Sequence, residues 1–443
     1  MYLDPGLGSL RQCLPEARDR HSVGLRSTPG TEENPTIGGE VALLPAGRPV
    51  GTVVDMIIRN WLRISIAVVA AGATLTAGGV ASAATPARPA YGQQDLQRDL
   101  DAITAIGVPG VLAEVQTGSR ALRGTSGVAD IDAGTPIAPD GSFRIGSNTK
   151  TFVSVVLLQL VGEHRISLDD TVDRWLPGVV HGNGNDGTKI TVRELLQHTS
   201  GLHNYTDDLQ AQITSVEAYR ELEFHQFSRQ DLLSIALASP PDFAPGAGWH
   251  YSNTNYILLG MIIEKVTGRS WENEVTRRII EPLGLRHTYA PGTATRLPEP
   301  HATGYLFFSR DVHIDVSDQN MSWAGSAGAL VSTAGDLSRF WSAIGRGELL
   351  RPAQRLEMQR TVPADGGDTA TVPGSRYGLG IFFTPLTCGG GYWSHQGDVP
   401  GFDTVSGTSA DGRTTVVLSV NSNVDDPILA AEYGLVDHVM CAR

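Results

Sequence analysis

The feature that most constrains the fold is the segment from 147 to 162, which reads as a helix that is apolar almost all round. A helix of this kind is normally buried, because it has no polar face to turn toward solvent. Ser147 lies where the helix begins and Lys150 follows three residues later, so both side chains share one face about a turn apart. An amino group this close to a hydroxyl is an arrangement that activates a nucleophile. The alternative is a serine N-cap followed by an ordinary helical lysine.

The composition limits the partners that the protein binds. The 443 residues include 34 Lys and Arg against 47 Asp and Glu, and 41% of the residues are hydrophobic. A chain of this length can bury one large core or two smaller ones. Nucleic-acid binding needs basic patches that contact phosphates, so the acidic balance argues against nucleic acid as a partner.

The first 83 residues have the organisation of an export signal. A basic region at 56–63 is followed by an apolar run at 64–75 and by an A-x-A sequence that ends at Ala83. This pattern is typical of a secretory signal peptide, so we expect a secreted protein that is cleaved near Ala83. The alternative is a membrane anchor, since 64–84 approaches the length that spans a bilayer. We therefore divide the chain into a non-native or disordered N-terminal extension at 1–52, a signal peptide at 53–83, a linker at 84–92 and one folded domain at 93–443.

Export makes the cysteine count informative. Cys13 precedes the signal, which leaves Cys388 and Cys441 in the mature chain. An even number of cysteines in an oxidising compartment favours a disulfide. We expect Cys388 and Cys441 to pair and to link the C-terminal helix to the sheet.

Short β-like segments lie at both ends of the folded domain, with mostly helical signals between them. The predicted strands lie at 110–116, 121–128, 377–386, 392–395, 404–407 and 414–420. This order indicates an α+β fold, in which an antiparallel β-sheet is flanked by helices and a mostly helical second lobe is inserted at about 165–300. The cleft between the two lobes is the expected binding site, and Ser147 falls at its edge.

A loop before the next apolar helix contains Tyr251 and Asn253, which supply groups that a nucleophilic serine needs. Beside a Lys150 ammonium the phenolate form of Tyr251 is favoured, because an opposite charge lowers the pKa of an acid. Asn253 has both donors and an acceptor with which to hold Lys150 and a substrate amide. The alternative is an asparagine that caps a turn beside a surface tyrosine.

A second loop-like segment, 395–402, follows a short predicted strand. Gly397 allows a substrate backbone to lie along the strand edge. The backbone N–H of Asp398, together with that of Ser147, is a candidate oxyanion hole. His395 is a candidate for tuning the tyrosine or for contacting a substrate carboxylate. The alternative is a hairpin with no function in binding.

Three patterns, S-x-x-K, Y-x-N and H-x-G, begin at Ser147, Tyr251 and His395, and each occurs once in this order. With the segments 195–202 and 325–337 around them, they resemble the serine β-lactamase and penicillin-binding superfamily, specifically its class C β-lactamase and D-alanyl-D-alanine carboxypeptidase branch. The resemblance covers about 94–441, which is nearly the whole predicted mature chain.

The resemblance implies a role for each matched residue. Ser147 would be the acylated nucleophile, and Lys150 and Tyr251 would share its proton. The implied substrate-binding residues are Asn253, Trp323 as an aromatic wall of the cleft, His395, Gln396, Gly397 and Asp398. His198 matches a structural loop near the site, and we expect it to be a buried, hydrogen-bonded histidine without a catalytic role. The spacing of Cys388 and Cys441 is similar to that of a disulfide in one secreted carboxypeptidase group.

Three positions depart from the carboxypeptidase pattern. The carboxypeptidases bind the terminal carboxylate of their substrate with one arginine and two threonines, whereas Phe382, Gln396 and Asp398 occupy the matching positions here. An aspartate beside a substrate carboxylate repels it. These departures put the hydrolysis of acyl-D-Ala-D-Ala in doubt, but they leave the acyl-serine chemistry intact.

We therefore expect a secreted serine hydrolase that works through an acyl-enzyme on Ser147 and resembles the D-alanyl-D-alanine carboxypeptidases. Its expected partners are a cell-wall peptide or a small ester or amide substrate, with β-lactams as inhibitors or substrates. Within the same chemistry the alternative is an esterase or D-aminopeptidase, and outside it a non-catalytic binder of cell-wall peptide. A metal hydrolase is disfavoured because the histidines lack ligand spacing. We expect no metal, no other cofactor and a monomer.

Overall fold

The strands of the domain form one large sheet and three small ones. The structure, a computed structural model, describes residues 90–364 and 372–442. The predicted N-terminal extension, the predicted signal peptide and most of the predicted linker lie outside these residues. The strands are β1 (Gly110–Thr117), β2 (Arg120–Asp130), β3 (Thr135–Pro136), β4 (Ser142–Arg144), β5 (His181–Gly182), β6 (Asn185–Asp186), β7 (Tyr305–Ser309), β8 (Val312–Asp315), β9 (Val331–Thr333), β10 (Val362–Pro363), β11 (Arg376–Tyr377), β12 (Phe382–Pro385), β13 (Gly391–Val399), β14 (Phe402–Ser409) and β15 (Thr414–Val420).

The large sheet is antiparallel and runs in the order β10-β11-β12-β13-β14-β15-β1-β2-β3. The N-terminal strand β1 therefore pairs with the last strand, β15, and closes the two ends of the domain onto each other. β14 and β15 are buried along their whole length, which requires helices on both faces of the sheet. The small sheets pair β4 with β9, β5 with β6 and β7 with β8.

Helices cover both faces of the sheet and build the second lobe. They are α1 (Gln93–Thr104), α2 (Thr149–Gly162), α3 (Val172–Trp175), α4 (Val192–Gln197), α5 (Tyr205–Gln212), α6 (Val216–Glu223), α7 (Arg229–Ala238), α8 (Asn253–Thr267), α9 (Trp271–Val275), α10 (Glu281–Leu283), α11 (Gly325–Gly328), α12 (Ala334–Arg346), α13 (Pro352–Met358) and α14 (Asp426–Cys441). Short 3-10 turns lie at Gly146–Asn148 and Met321–Trp323, and a π-helical turn lies at Thr276–Ile280.

One face of the sheet is covered by the two terminal helices. In α1, Leu96, Leu100 and Ile103 are fully buried and recur at helical spacing, so they form one apolar stripe. These residues pack with the apolar side of α14 against the strands in a single cluster. A disulfide joins Cys388, in the turn after β12, to Cys441 at the end of α14, which is the predicted pairing.

The other face of the sheet is covered by α12, which packs against β14, β15 and β1. The central helix α2 lies behind α12, and the ring of Phe152 stacks on that of Phe340 with 3.7 Å between the ring centroids. On its other side α2 contacts α8 and α11. The prediction that α2 is buried is therefore confirmed, and its surroundings form the main hydrophobic core.

The predicted α+β class is confirmed, with the segment between β4 and β7 mainly helical. One strand prediction was wrong: 377–386 is two strands, β11 and β12, separated by a turn. The break lies at Gly380, whose φ is +78° and whose missing side chain leaves room for Ser154 of α2. A Cβ at this position would lie 1.9 Å from the Ser154 Oγ. Among the helices of 90–364 and 372–442, none is long and apolar enough to cross a membrane.

Candidate active site

Ser147 lies in the 3-10 turn at the start of α2, directly beside β13. Two glycines permit this contact. A Cβ on Gly146 would lie 2.8 Å from the backbone nitrogen of Asp398, and a Cβ on Gly397 would lie 2.0 Å from the carbonyl oxygen of Ile145. Real Cβ atoms do not approach backbone this closely, so both positions need glycine for the strand and the turn to touch. The sequence predicted Gly397 for a substrate backbone, whereas the structure uses it to place Ser147 beside the strand.

Lys150 is fully buried, and its Nζ has three hydrogen-bond partners. They are Ser147 Oγ at 2.9 Å, Asn253 Oδ1 at 2.6 Å and the carbonyl oxygen of Ala327 at 2.8 Å. The two carbonyl-type oxygens can only accept, so a neutral amine gives both of its hydrogens to them. Its lone pair is then left for the third partner, and the Ser147 hydroxyl donates to it. The arrangement therefore prepares the serine to pass its proton to the amine.

Burial sets the charge state of this lysine. No carboxylate is among the hydrogen-bond partners of Lys150, and loss of hydration lowers its pKa well below 10.5. The rings of Tyr251 and Tyr256 lie 4.7 and 5.4 Å from Nζ and favour the cation. Loss of hydration acts against these contacts and is the larger effect because Lys150 is fully buried, so burial favours the neutral amine over the ammonium.

Tyr251 forms part of the cleft wall beside Ser147. The protein around its hydroxyl raises its pKa well above 10, while a side-chain hydrogen bond with Ser147 acts in the opposite direction. The expectation of a phenolate is therefore wrong, because it assumed that Lys150 carries a charge that attracts one. Burial favours the neutral form of both groups, and a neutral amine is a better base for the Ser147 proton than a neutral phenol.

Asn253, at the first position of α8, is fixed by a chain of side-chain hydrogen bonds. Its Nδ2 donates to Thr206 Oγ1 at 2.9 Å, and Thr206 Oγ1 donates to Asn204 Oδ1 at 2.9 Å. Asn204 Nδ2 in turn donates to Asp207 Oδ1 at 2.6 Å. Because the Asn253 amide nitrogen donates to Thr206 in this chain of hydrogen bonds, Asn253 Oδ1 is left as the acceptor for Lys150. The sequence predicted the contact with Lys150 and gave no sign of the other three residues.

His198 lies beneath Tyr251 and contacts no other catalytic candidate by hydrogen bond. Its Nδ1 accepts from the backbone N–H of Ser252 at 3.1 Å and from Asn255 Nδ2 at 3.0 Å. Burial lowers its pKa well below 6.5, so the ring is neutral and carries its proton on Nε2. Its ring centroid lies 4.3 Å from that of Tyr251. The expectation of a buried, hydrogen-bonded histidine is confirmed, and the structure adds that it supports the tyrosine ring.

His395, on β13, is 1% exposed and has partners for both ring nitrogens. Nδ1 lies against the carbonyl oxygen of Gln396, and Nε2 lies 3.2 Å from the hydroxyl of Tyr377. Burial lowers its pKa to about 3, so the ring is neutral. Its centroid is 6.3 Å from that of Tyr251. The histidine thus contacts Tyr251 through its ring and keeps no free nitrogen for a substrate carboxylate.

The candidate oxyanion hole lies at the free edge of β13. Val399 and Phe402 pair across the two-residue turn that joins β13 to β14. In such a hairpin the pair next to the turn is hydrogen-bonded and the preceding residue points its N–H outward. The N–H of Asp398 is therefore directed away from β14 and toward the turn that carries Ser147. The role of this N–H in binding an oxyanion stays a prediction.

A cleft with a volume of about 660 Å³ opens above Ser147. Four aspartates line it, and they are Asp207, Asp398, Asp425 and Asp426. The described residues that line the cleft include no arginine and no lysine. Phe382 and Gln396 also line it at two of the positions where the carboxypeptidase pattern has cationic or hydroxyl side chains. The Gln396 amide donates to Asp403 Oδ2 at 3.1 Å.

Trp323, predicted as an aromatic wall of the cleft, is not among the described residues that line it. It lines a smaller neighbouring cavity, which shares Thr206 and Gln210 with the cleft. The 3-10 turn that ends at Trp323 is fixed by Tyr205, whose hydroxyl donates to the Trp323 carbonyl oxygen at 2.6 Å.

Within the described part of the chain, no group of three or more His, Cys, Asp and Glu side chains is arranged to hold a metal ion.

The fold and this site together have the arrangement of the serine hydrolases: a serine hydroxyl, a buried amine and a tyrosine hydroxyl meet between an antiparallel sheet and a helical lobe. Residues 94–439 match the sequence model of the family described as Beta-lactamase, and the chain belongs to this family.

Proteins that are named for several different activities are similar to this chain. A solved D-stereospecific amidohydrolase from Streptomyces sp. is 40% identical and has a TM-score of 0.72, covering 80% of this chain and 100% of that one. The D-amino acid amidase from Ochrobactrum anthropi SV3 is 28% identical with a TM-score of 0.68, covering 78% of this chain and 97% of that one. Penicillin-binding protein 4* from Bacillus subtilis is 26% identical over 347 residues, which is 75% of this chain and 72% of that protein.

Proposed function

We propose that this protein is a serine hydrolase for amides, peptides or esters that carry a free amine beside the reacting carbonyl, with D-amino-acid amides as the substrate class. The observation that carries the proposal is the Asp398 side chain, which is exposed in the cleft next to Ser147. Within the described residues it has no hydrogen-bond or ion-pair partner, so it is available to a ligand. Protein around the carboxyl raises its pKa to about 6, which leaves it ionised at neutral pH.

The charge of the cleft separates this substrate class from the carboxypeptidase alternative. A peptide with a free C-terminal carboxylate meets four aspartates, and the described residues that line the cleft include no arginine or lysine. Like charges repel, and the repulsion is strong where water is partly excluded. A substrate ammonium is attracted by the same groups. The names of the Streptomyces amidohydrolase and the Ochrobactrum amidase support amide substrates and the D configuration.

The reaction begins with transfer of the Ser147 proton to the neutral Lys150 amine, 2.9 Å away, as Oγ attacks the carbonyl carbon. The oxyanion that forms lies between the N–H groups of Ser147 and Asp398. Tyr251, hydrogen-bonded to Ser147, is placed to give a proton to the leaving nitrogen or oxygen. The Lys150 ammonium then returns a proton to the Tyr251 oxygen, so that both groups are neutral again in the acyl-enzyme. Water hydrolyses the acyl-enzyme by the same transfers in reverse.

We also propose that the enzyme acts outside the cell. The signal-like segment at 53–83 and the disulfide between Cys388 and Cys441 support export, because disulfides persist in oxidising compartments.

The proposal is tested with D-alanine p-nitroanilide and its N-acetyl derivative, in which a neutral acetamide replaces the charged amine. The wild-type kcat/KM should favour the free amine by about tenfold to a hundredfold, because an ion pair in a partly dry site contributes about 1.5–3 kcal/mol. Asp398→Asn should reduce this preference toward one, and the KM for the free amine should rise as the pH falls through about 6.

The exposed loop variant Asp132→Asn is the matched control and should keep the wild-type preference. Faster turnover of diacetyl-Lys-D-Ala-D-Ala than of either anilide would contradict the proposal and favour the carboxypeptidase alternative.

A further inference from the structure

Asn148, the residue after Ser147, has a fully buried polar side chain that takes no part in the proton transfers. Its amide nitrogen donates to the carbonyl oxygen of Ile145 at 3.1 Å, and its amide oxygen accepts from the hydroxyl of Ser406 on β14. Burial of an amide costs free energy unless its donors and acceptors have partners. Both ends of this amide have one, and the two bonds join the turn that carries Ser147 to the sheet.

The direction of each hydrogen bond in this group follows from the atoms involved. Trp341 Nε1, on α12, donates to Ser406 Oγ at 2.6 Å, and both residues are fully buried. An indole nitrogen only donates, and a carbonyl oxygen only accepts. The Ser406 hydroxyl accepts from Trp341, so its own hydrogen goes to Asn148 Oδ1. The other acceptor within reach, the carbonyl oxygen of His395, lies farther away at 3.4 Å. The Asn148 amide is therefore held in one orientation.

The hydrogen bond between Asn148 and Ile145 also lies against the neighbouring strand. A Cβ on Gly397 of β13 would lie 2.0 Å from the Ile145 carbonyl oxygen and 3.0 Å from Asn148 Nδ2. Ser147 directly precedes Asn148, and its N–H is one candidate oxyanion donor. Asp398 directly follows Gly397, and its N–H is the other. The contact thus lies between the two segments that supply the donors.

We propose that Asn148 is a positioning residue that sets the separation of the Ser147 and Asp398 N–H groups, and that Ser406 holds its amide in place. The inference rests on the proposed function, because an oxyanion forms only if Ser147 attacks a carbonyl group. Donors stabilise an oxyanion only if they are already directed at the position where its charge develops. A misplacement of about 1 Å costs up to about a hundredfold in rate.

Asn148→Leu tests the proposal, because leucine has the same branched shape without the hydrogen-bonding groups. The Ile145 carbonyl oxygen keeps the backbone N–H of residue 148 as a donor, at 3.1 Å in the wild type. The kcat for p-nitrophenyl propionate should fall about tenfold to a hundredfold. KM should stay within about twofold of the wild-type value, because the loss falls on the transition state and not on the bound ester.

A second readout is specific to the oxyanion donors. It is the ratio of kcat/KM for this ester to kcat/KM for its thiono analogue, in which sulfur replaces the carbonyl oxygen. Sulfur is larger and accepts hydrogen bonds more weakly, so donors positioned for oxygen favour the ester. The ratio should exceed one in the wild type and fall toward one in Asn148→Leu. A variant that is only less stable loses both activities equally and keeps the ratio. A folded Asn148→Leu protein with the wild-type ratio would overturn the proposal.

Ser338→Ala is the matched control. Ser338 of α12 is buried, and its Oγ lies 2.6 Å from Thr415 Oγ1 on β15, the strand beside β14. This variant also loses a buried side-chain hydrogen bond between α12 and the sheet, but the bond does not involve the turn that carries Ser147. It should keep the wild-type kcat and the wild-type ratio.

Ser406→Ala covers the case in which Asn148→Leu does not fold. It removes the donor to Asn148 Oδ1 and leaves the bond from Asn148 to Ile145 in place. The ratio of ester to thionoester should therefore change in the same direction by a smaller amount. An unchanged ratio in folded Ser406→Ala would overturn the proposal.

The two esters also separate this proposal from the proposed function. If the wild type hydrolyses p-nitrophenyl propionate but no D-amino-acid anilide, the amine proposal fails, and the ester ratio still decides the role of Asn148. If it hydrolyses neither the ester nor the anilides, both proposals fail.

Discussion

Two sets of buried titratable groups lie near β13, and they are stabilised in different ways. Lys150, on the α2 side, is fully buried and has three hydrogen-bond partners. Glu432 of α14 is also fully buried, yet within the described residues neither of its carboxyl oxygens has a hydrogen-bond donor. Its neighbour Asp403 has an amide donor for one oxygen and, among the residues that the structure describes, none for the other. Burial favours the neutral form in both sets.

The difference lies in what the neutral form can do. A neutral Lys150 keeps two hydrogen bonds as a donor and offers its lone pair to Ser147, so the loss of charge creates a base. Asp403 and Glu432 share a hydrogen bond only when one of them holds a proton, since two carboxylates lack a donor. Burial, with the nearby charge of Asp398, raises the pKa of Asp403 to about 8. The amine thus serves catalysis, whereas the carboxyl pair couples stability to pH.

The largest expected effect is the loss of the base. Lys150→Ala should lower the rate of acylation by a fluorophosphonate between about a hundredfold and ten-thousandfold, because a positioned base contributes this much to proton transfer. The rate is measured from the mass increase of the intact protein. Ser147→Ala, which has no hydroxyl to acylate, sets the baseline.

Lys265→Ala is the matched control, because Lys265 is an exposed lysine near the end of α8. It should react at the wild-type rate. A Lys150→Ala protein that is folded and acylated at the wild-type rate would remove the amine from the mechanism.

A smaller effect is expected from the carboxyl pair. The folded-state pKa of Asp403 is raised from 3.8 to about 8, so the folded protein binds this proton more tightly than the unfolded chain. Its contribution to stability is fully present at acid pH and is lost as the pH rises through about 8. Asp403→Asn has a neutral amide that donates to Glu432 at every pH.

The measurement is Tm between pH 5 and pH 9. The wild-type Tm should fall with pH by a few degrees more than that of Asp403→Asn, whereas the exposed control Asp132→Asn should follow the wild type. Parallel curves for the wild type and Asp403→Asn would show that Asp403 is ionised throughout this range.

The sequence was most informative where chemistry is local. Ser147 and Lys150 are three residues apart on one helix, and the buried character of that helix follows from its composition. The pattern resemblance added Tyr251 and Asn253, and the structure brings both to the same amine.

What the sequence did not show depends on contacts between distant segments. The neutral state of the pair Lys150 and Tyr251 follows from how completely the fold excludes water around them, which spacing does not reveal. Asp403 and Glu432 come from a strand and a helix that meet only in the folded protein. The displacement of Trp323 into the smaller neighbouring cavity likewise depends on how α5 and α6 pack beside the cleft.

The central claim is that a neutral Lys150 amine removes the Ser147 proton, and the pH dependence of acylation tests it most directly. Fluorophosphonate labelling of the wild type and of Tyr251→Phe is followed by intact mass across the pH range. We predict that the rate rises with pH along a limb whose midpoint lies well below 10.5, because only the deprotonated amine is a base. Tyr251→Phe should keep this midpoint at a lower maximal rate. A midpoint at or above 10.5, or a limb that disappears in Tyr251→Phe, would contradict the account.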